Sequence, residues 1–251
     1  MNKTDPRYGM YLAILREELL LAMGCTEPAA VACAAAAARS VLPPDAALQS
    51  CELHVSGNII KNVKSVVVPN TGGARGLETA AAAGLAGGDA RAGLQVIARR
   101  DGAPRPLPAS AAPRPETAAQ TDRTAMTVED ILDFAAGADL DDVRELLQRQ
   151  IDCNMAIAEE GLRRPWGAQV GRTLLRSAPG DVYIRAAAAA AAGSDARMGG
   201  CELPVAIVSG SGNQGLTASV PVIVYAREKG LPHDALLRAL LVSDLITIHQ
   251  K

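Results

Sequence analysis

The chain has 251 residues, a formal net charge of -2, and a composition that is 49% hydrophobic but only 2% aromatic. A core with so few rings must be aliphatic, and the lack of a basic stripe argues against nucleic acid as a partner. No basic start precedes an apolar segment at the amino terminus, and the alanine runs are too short to span a bilayer. The sequence therefore predicts a cytoplasmic protein with no membrane partner.

The five cysteines do not form a recognisable framework. Their number is odd, their spacing is wide, and no C-x-x-C pair occurs. These features argue against structural disulfides and against a self-contained zinc knuckle. The cysteines are Cys25, Cys33, Cys51, Cys153 and Cys201.

The first half of the chain predicts alternating helices and short strands. Residues 8–21 show the apolar periodicity of an amphipathic helix. Residues 29–40 are almost entirely alanine, valine and cysteine, and they predict a buried helix that starts near Thr26 and Pro28. Strands are predicted at 51–55, 65–68 and 94–99, with a small-residue helix at 77–86.

The second half begins with a segment rich in proline, alanine and threonine at 101–127, which predicts an exposed, flexible connection. Apolar patterns then predict helices and one more strand. The helices are at 127–135, 141–163, 182–192, 217–229 and 233–249, and the strand is at 203–208. The predicted fold class is α+β, one domain over 1–251 with a small sheet and many buried, alanine-rich helices.

Five predicted connections combine glycine with hydroxyl, amide or charged side chains. If such loops converge, they form a polar pocket for a small zwitterion or anion, but each alone is equally consistent with a tight turn. The most informative reads Ser-Gly-Ser-Gly-Asn-Gln-Gly and directly follows an apolar run. The five connections are 24–28, 56–62, 69–76, 193–201 and 209–215.

Cys25 is the thiol that the sequence singles out. It precedes a predicted helix N-terminus, where the helix dipole lowers a thiol pKa and favours the thiolate that binds metal or attacks an electrophile. The alternative is a small buried side chain without chemistry. Lys61 could bind a carboxylate or act as a base, or it could be a solvated strand-end lysine. Arg75 and Arg197 could each hold a carboxylate, or be ordinary loop arginines.

Six motifs, in order along the chain, resemble the L-cysteine desulfidase family, which is related to the α chain of the iron–sulfur L-serine dehydratases. The resemblance runs from about residue 8 to residue 251. The motifs are Gly24-Cys-Thr-Glu-Pro28, Ser56-Gly-Asn-Ile-Ile-Lys-Asn62, Val68-Pro-Asn-Thr-Gly-Gly73, Cys153-Asn-Met-Ala-Ile-Ala-Glu-Glu-Gly161, Gly193-Ser-Asp-Ala-Arg-Met198 and residues 209–215.

The resemblance implies α,β-elimination of L-cysteine to pyruvate, ammonia and sulfide without pyridoxal phosphate. The family's cofactor is a [4Fe–4S] cluster held by three cysteines, and Cys25 matches one of them. Lys61 is the candidate base. The residues implied around the amino-acid substrate or the cluster are Asn58, Asn70, Thr71, Ser211 and Asn213.

Members of that family look longer, and they continue past the final predicted helix into a half that carries the other cluster cysteines. The resemblance therefore implies that this chain is the N-terminal part of a serine dehydratase α-chain-like catalytic domain, C-terminally truncated. A homo-oligomer or a second chain would then complete the site. Alternatives are L-serine dehydration, a non-catalytic protein that retains a small-molecule pocket, and a cluster-free hydrolase that uses Cys25 as nucleophile with His54 or His233.

Overall fold

The structure is a computed structural model that describes residues 1–43, 45–98 and 121–250. The chain divides into two compact units. Unit 1 comprises Met1–Leu20, Thr117–Ala196 and Leu203–Lys251, and unit 2 comprises Leu21–Glu116 and Arg197–Glu202. Most of the predicted connection at 101–127 lies outside the described residues.

The described residues are mostly helical and include two short strands, which agrees with the predicted α+β class. None of their helices is long and apolar enough to cross a bilayer. In chain order the elements are α1 (Tyr8–Glu18), β1 (Leu21–Met23), α2 (Thr26–Ser40), α3 (Gly57–Val63), α4 (Leu77–Gly87), a 3₁₀ helix (Ala90–Gln95), α5 (Val128–Gly137), a 3₁₀ helix (Leu140–Asp142), α6 (Arg144–Arg163), α7 (Val170–Ser177), α8 (Val182–Met198), β2 (Pro204–Ala206), α9 (Gly212–Glu228) and α10 (His233–His249).

Unit 2 is built on a close contact between α2 and α4. A Cβ at Gly84 would overlap the backbone carbonyl of Ala32, so the two helices meet at backbone distance. Such an approach brings many alanine side chains into contact at once, which compensates for the small area that each one buries. The buried cluster around this contact consists of Val31, Ala32, Ala35, Ala36, Val68, Ala80, Ala81, Val96 and Ile97.

Unit 1 is a helical assembly in which α10 packs against α5, α6 and α9. The apolar stripe of α6 faces the interior, with Leu147, Ile151 and Ile157 buried. Tyr11 stacks on Phe134 with ring centroids 5.1 Å apart, and both rings are fully buried. All six aromatic residues of the chain lie in this unit.

The helix predictions are more accurate than the strand predictions. Helix α10 has the predicted bounds, and α2 begins at the predicted helix start, Thr26, three residues before the apolar run 29–40. Helix α8 continues six residues beyond its predicted end, so residues 193–198 are helical rather than a loop. Gly193 is small there because Leu216 packs against it; a Cβ would lie 3.1 Å from Leu216 Cδ2.

Three predicted strands are wrong. Residues 51–55 have no regular structure, residues 65–68 form only an isolated bridge from Val67 to Arg75, and residues 94–95 lie in a 3₁₀ helix. An alternating pattern becomes a strand only where a neighbouring strand accepts its hydrogen bonds. Cys51, Leu53 and their neighbours are instead exposed.

Candidate functional site

Cys25 occupies the position that the sequence predicts, at the start of a buried helix. It is the N-cap residue of α2, with an extended backbone (φ -78°, ψ 139°), and it is 5% exposed. The preceding Gly24 has a φ of 66°, and a Cβ there would lie 2.5 Å from Pro69 Cγ. The turn that places the thiol therefore requires glycine.

Glu27 is the polar centre of this region. Its Oε2 accepts hydrogen bonds from Cys25 Sγ at 2.7 Å and from Thr26 Oγ1 at 3.0 Å. Its Oε1 accepts from Asn62 Nδ2 at 3.1 Å. Three side chains thus donate to one carboxylate, two of them from the start of α2 and the third from α3. The carboxylate also lies at a helix N-terminus, where negative charge is stabilised.

Arg197 adds a buried positive charge to Cys25 and Glu27. It is 2% exposed, and its charge acts on both of these side chains. Burial lowers the pKa of Arg197, whereas the nearby Cys25 and Glu27 oppose that effect. Because an arginine remains protonated at any physiological pH, the region holds a permanent cation out of bulk water. The three residues are called the Cys25 group below.

The predicted thiolate character of Cys25 is wrong for the structure as described. Burial raises the pKa of the Cys25 thiol to about 11, and the hydrogen bond to Glu27 adds to this effect although Arg197 opposes it. Burial alone would also raise the pKa of Glu27, but the hydrogen bonds from Cys25 and Thr26 and the charge of Arg197 outweigh it and lower that pKa. At neutral pH the proton therefore stays on the sulfur. Desolvation outweighs the helix dipole here.

A cavity of about 480 Å³ in unit 2 contains two of the predicted substrate-binding residues. Asn70, in the left-handed region with a φ of 61°, donates from Nδ2 to the carbonyl of Ile97 at 2.7 Å. Thr71 donates from Oγ1 to the carbonyl of Val68 at 2.7 Å. Both side chains thus stabilise their own loop. The rest of the lining is small and apolar apart from Thr79: Pro69, Ala74, Ala82, Ala83, Ala86, Gly87 and Ile97.

Asn58 and Lys61 lie on α3, not beside a strand as predicted. Both are exposed, and neither lines the 480 Å³ cavity. The next residue, Asn62, is the one that reaches Glu27 from this helix. The substrate and base roles of Asn58 and Lys61 stay predictions. Arg75 is exposed as well and donates to the carbonyl of Ser65 at 3.0 Å.

In unit 1, the glycine-rich segment 209–215 forms a tight turn followed by the start of a helix. Ser209 and Gly210 have φ values of 53° and 77°, and the backbones of Val208 and Ser211 exchange two hydrogen bonds across them. Positive φ at both central positions is the pattern of a type I′ turn. Ser211 then accepts a hydrogen bond from the backbone N–H of Gln214 and caps α9.

Helix α9 begins at Gly212, five residues before the predicted start. Asn213 therefore lies in the first turn, where its carbonyl accepts from Thr217 Oγ1 at 2.9 Å. Gly215 is required by packing, because a Cβ there would overlap the carbonyl of Ala206. Backbone conformation thus explains Gly210, and packing explains Gly215. The substrate-binding roles of Ser211 and Asn213 stay predictions.

The sequence predicted Cys25 as a site residue, but not Glu27, which accepts its hydrogen bond, or Asn62, which donates to Glu27. The sequence assigned Glu27 and Asn62 no role beyond membership of two motifs. Their roles depend on α3 lying against α2, which no local pattern predicts. The available signal was that both lie in glycine-containing motifs that also contain predicted site residues. Arg197 was placed in a loop, and the structure puts it at the end of a helix.

The described residues do not form a complete iron–sulfur site. Such clusters are held by several cysteine thiolates. Over residues 1–43, 45–98 and 121–250, no three histidine, cysteine, aspartate or glutamate side chains form a group that could hold a metal ion. Cys33 points to the carbonyl of Ala90 at 3.7 Å, and Cys51 is exposed. The ligand role of Cys25 stays a prediction.

A known protein family matches the second half of the chain. The family model described as serine dehydratase alpha chain matches residues 116–251, which is more than half of the chain. No solved structure matches.

Curated relatives match over a longer range. A UPF0597 protein of Desulfitobacterium hafniense is 43% identical over 306 aligned positions, which cover 100% of this chain and 71% of the relative. A UPF0597 protein of Treponema denticola is 38% identical, with 100% of this chain and 72% of the relative covered. One from Lachnoclostridium phytofermentans is 40% identical, with 97% and 71% covered.

Proposed function

Because the chain belongs to the serine dehydratase alpha chain family, we propose that it acts in the α,β-elimination of a small L-amino acid, with L-cysteine as substrate. The Cα–H and Cβ–S bonds break, the proton passes to a base, and sulfur leaves as sulfide. The aminoacrylate that remains reacts with water. One cysteine and one water thus give pyruvate, ammonia and hydrogen sulfide.

The observation that carries the proposal is the Cys25 group in a chain of this family. A buried guanidinium, a carboxylate and a thiol are held together at the start of α2. Charges that are withdrawn from water act more strongly on a bound ion than surface charges do. Arg197 is therefore suited to attract the carboxylate of an amino acid, and Glu27 to attract its ammonium group.

Glu27 has a second proposed role, as proton acceptor for Cys25. The thiol already donates to Glu27 Oε2 at 2.7 Å, so the proton has a short path when the sulfur binds an electrophile. Asn62 and Thr26 hold the carboxylate in place for that transfer. In this arrangement Cys25 stays protonated while the site is empty, and its proton passes to Glu27 when the sulfur binds an electrophile.

The other proposed site residues have different degrees of support. Asn70 and Thr71 line the 480 Å³ cavity, which has ample room for an amino acid. Four residues are proposed on the family resemblance alone: Asn58, Lys61, Ser211 and Asn213. The family also implies an iron–sulfur cluster, but the described residues do not provide its ligand set, so the proposed roles are assigned to side chains of this chain only.

L-Serine is the second candidate substrate, because the matching family is described by that activity. The elimination would be the same, with the hydroxyl group leaving as water. Sulfide and hydroxide differ as leaving groups, so the two substrates are distinguished by their products and relative rates.

The test is an anaerobic assay of the purified protein, before and after treatment with iron and sulfide, with L-cysteine, L-serine and D-cysteine. We expect pyruvate and newly released sulfide in equal amounts from L-cysteine and neither from D-cysteine. A higher kcat/KM with L-serine would reassign the substrate. If neither L-amino acid yields pyruvate in either preparation, the proposed activity is wrong and a binding role is favoured.

Cys33→Ser is a matched control for Cys25→Ser, because both thiols lie on or next to α2. We expect Cys25→Ser to lose most of the activity and Cys33→Ser to retain it. Iron bound after reconstitution is measured in both variants. Equal iron and equal activity in the two variants would refute the role of Cys25.

A further inference from the structure

Two fully buried polar side chains meet inside unit 1, remote in sequence from the Cys25 group. Gln150 of α6 and Asp244 of α10 are both 0% exposed. Buried apolar side chains flank them on the same two helices, Leu147 and Ile151 on α6 and Leu241 and Leu245 on α10. A carboxyl group in such surroundings is costly unless it is neutral or fully paired.

The hydrogen bonding between the two side chains is incomplete in a specific way. Gln150 Nε2 donates to Asp244 Oδ1 at 3.0 Å. The other oxygens of the same two groups, Gln150 Oε1 and Asp244 Oδ2, are buried and have no hydrogen-bond partner among the described residues. If Asp244 is ionised, both of these atoms are acceptors and a donor is missing. A single proton on Asp244 Oδ2 supplies that donor.

Asn154, one helical turn along α6, is a buried amide whose hydrogen bonds are complete. Its Nδ2 donates to the carbonyl of Ala206 and to Ser219 Oγ, and its Oδ1 accepts from the backbone N–H of Ala206 at 2.8 Å. Every polar atom of that side chain is satisfied by protein groups. Because Asn154 is fully hydrogen-bonded in the same interior, the unpaired Gln150 Oε1 indicates a proton on Asp244 rather than loose packing.

We propose that Asp244 is a protonated carboxylic acid in the folded protein and donates its proton to Gln150 Oε1. Acid and amide then form a two-point hydrogen-bonded pair that fastens α10 to α6, and ionisation of Asp244 releases it. The pair, called the acid–amide pair below, makes the packing of these two helices depend on pH.

The electrostatic surroundings agree with the geometry. Burial raises the pKa of Asp244 to about 7, and the hydrogen bond from Gln150 only partly opposes it. Helix α10 packs against α1, α5, α6, α9 and the 3₁₀ helix at 140–142. No ionisable side chain that the structure describes on these elements contributes to this pKa. The buried ionisable side chains on those elements are Tyr8, Tyr11, Glu18 and Glu160.

The sign of the pH effect follows from the direction of the shift. The unfolded chain loses the Asp244 proton near the ordinary aspartate pKa, whereas the folded chain keeps it until about pH 7. Between these values the folded state binds more protons, so the stability of unit 1 falls as pH rises. Below the ordinary aspartate pKa the full contribution of the acid–amide pair is present.

The decisive variant is Asp244→Asn, because its amide can form the same two-point pair without a proton that titrates. Urea unfolding of the full chain, followed by the fluorescence of Trp166, is measured across a pH series for both proteins. We expect the unfolding constant of the wild type, relative to that of the variant, to rise by up to about tenfold per pH unit between about pH 4 and pH 7. A constant ratio over that range would overturn the proposal.

A second measurement reads the protonation state of Asp244 in the folded wild-type protein. With ¹³C-labelled aspartate, the Asp244 carboxyl carbon is assigned as the signal missing from Asp244→Asn or, should that variant not fold, from Asp244→Glu. We expect its chemical shift at about pH 5 to be that of a protonated acid and to change on titration above about pH 7. A shift already typical of a carboxylate at about pH 5 would refute the pair.

Discussion

Glu27 in unit 2 accepts hydrogen bonds from three side chains near a buried guanidinium, whereas Asp244 in unit 1 accepts one hydrogen bond from a neutral amide. The pKa of Glu27 is lowered and that of Asp244 is raised to about 7. Burial opposes ionisation in both places. The difference lies in the number of donors and in the charge that faces the carboxyl group.

Two carboxyl side chains of one chain thus make its stability depend on pH in opposite directions. Glu27 stabilises the fold above the ordinary pKa of glutamate and loses that contribution as pH falls through its lowered value. Asp244 does the reverse. A bulk stability curve contains both effects, so variants are needed to separate them.

The largest loss of stability is expected where α2 packs against α4, because this contact holds the helix that carries Glu27. Gly84→Ala places a Cβ on the carbonyl of Ala32, and since backbone cannot yield easily, we expect a loss of about 3 kcal/mol or more. Circular dichroism during urea unfolding measures it. The matched control is Gly87→Ala on the same helix, where a Cβ would meet nothing within 4 Å. Equal stability of the two variants would contradict the close contact.

A smaller effect is expected from Glu27→Gln, which keeps the shape of the side chain and removes its charge. At neutral pH we expect a loss of about 1–3 kcal/mol, because charge-assisted hydrogen bonds become neutral ones beside Arg197. The difference from wild type should shrink as pH falls and Glu27 itself becomes protonated. Chemical denaturation at several pH values tests this, and a difference that grows toward acid would reverse the assignment.

The same variant also tests how Glu27 controls the Cys25 thiol. Glu27 raises the pKa of the thiol while Arg197 lowers it, so removing the carboxylate should move that pKa below about 11. We expect faster alkylation of Cys25 at mildly alkaline pH, read by mass spectrometry of the labelled peptide. Cys51, which is exposed and outside the group, serves as the internal reference thiol. An unchanged ratio of the two rates would show that Glu27 does not influence Cys25.

The smallest expected effect is that of Asn62→Ala, which removes one of the three donors to Glu27. Two donors remain, so we expect a loss of about 1 kcal/mol in stability. The measurement is the same urea unfolding by circular dichroism, compared with Asn58→Ala on the exposed side of α3. Equal losses in the two variants would argue against a special role for Asn62.

The sequence predicted those parts of the fold that follow from local periodicity. Helix α10 was predicted residue for residue, and α2 to within three residues, because uninterrupted apolar and alanine patterns specify helices over four turns. The strands at 51–55 and 94–99 failed because alternation specifies a strand only if another segment pairs with it.

The sequence predicted only those features of the candidate site that are local along the chain. The position of Cys25 at a helix start is a local property and was found. Its ionisation was predicted wrongly, since burial and the carboxylate of Glu27 depend on segments far apart in sequence. The acid–amide pair joins residues 94 positions apart, on two helices that each carry further polar residues, so the sequence gives no sign that Gln150 and Asp244 meet.

The distribution of aromatic residues decides what a spectroscopist can see in this protein. Trp166 and all four tyrosines belong to unit 1, where Trp166 Nε1 donates to Glu160 Oε1 at 3.2 Å. Unit 2 has no near-ultraviolet ring chromophore in its sequence. Emission and near-ultraviolet dichroism therefore report on unit 1 alone, and the Cys25 group could unfold without any change in either signal. A single tryptophan introduced at Ile60, an exposed position on α3, would give unit 2 an optical signal of its own.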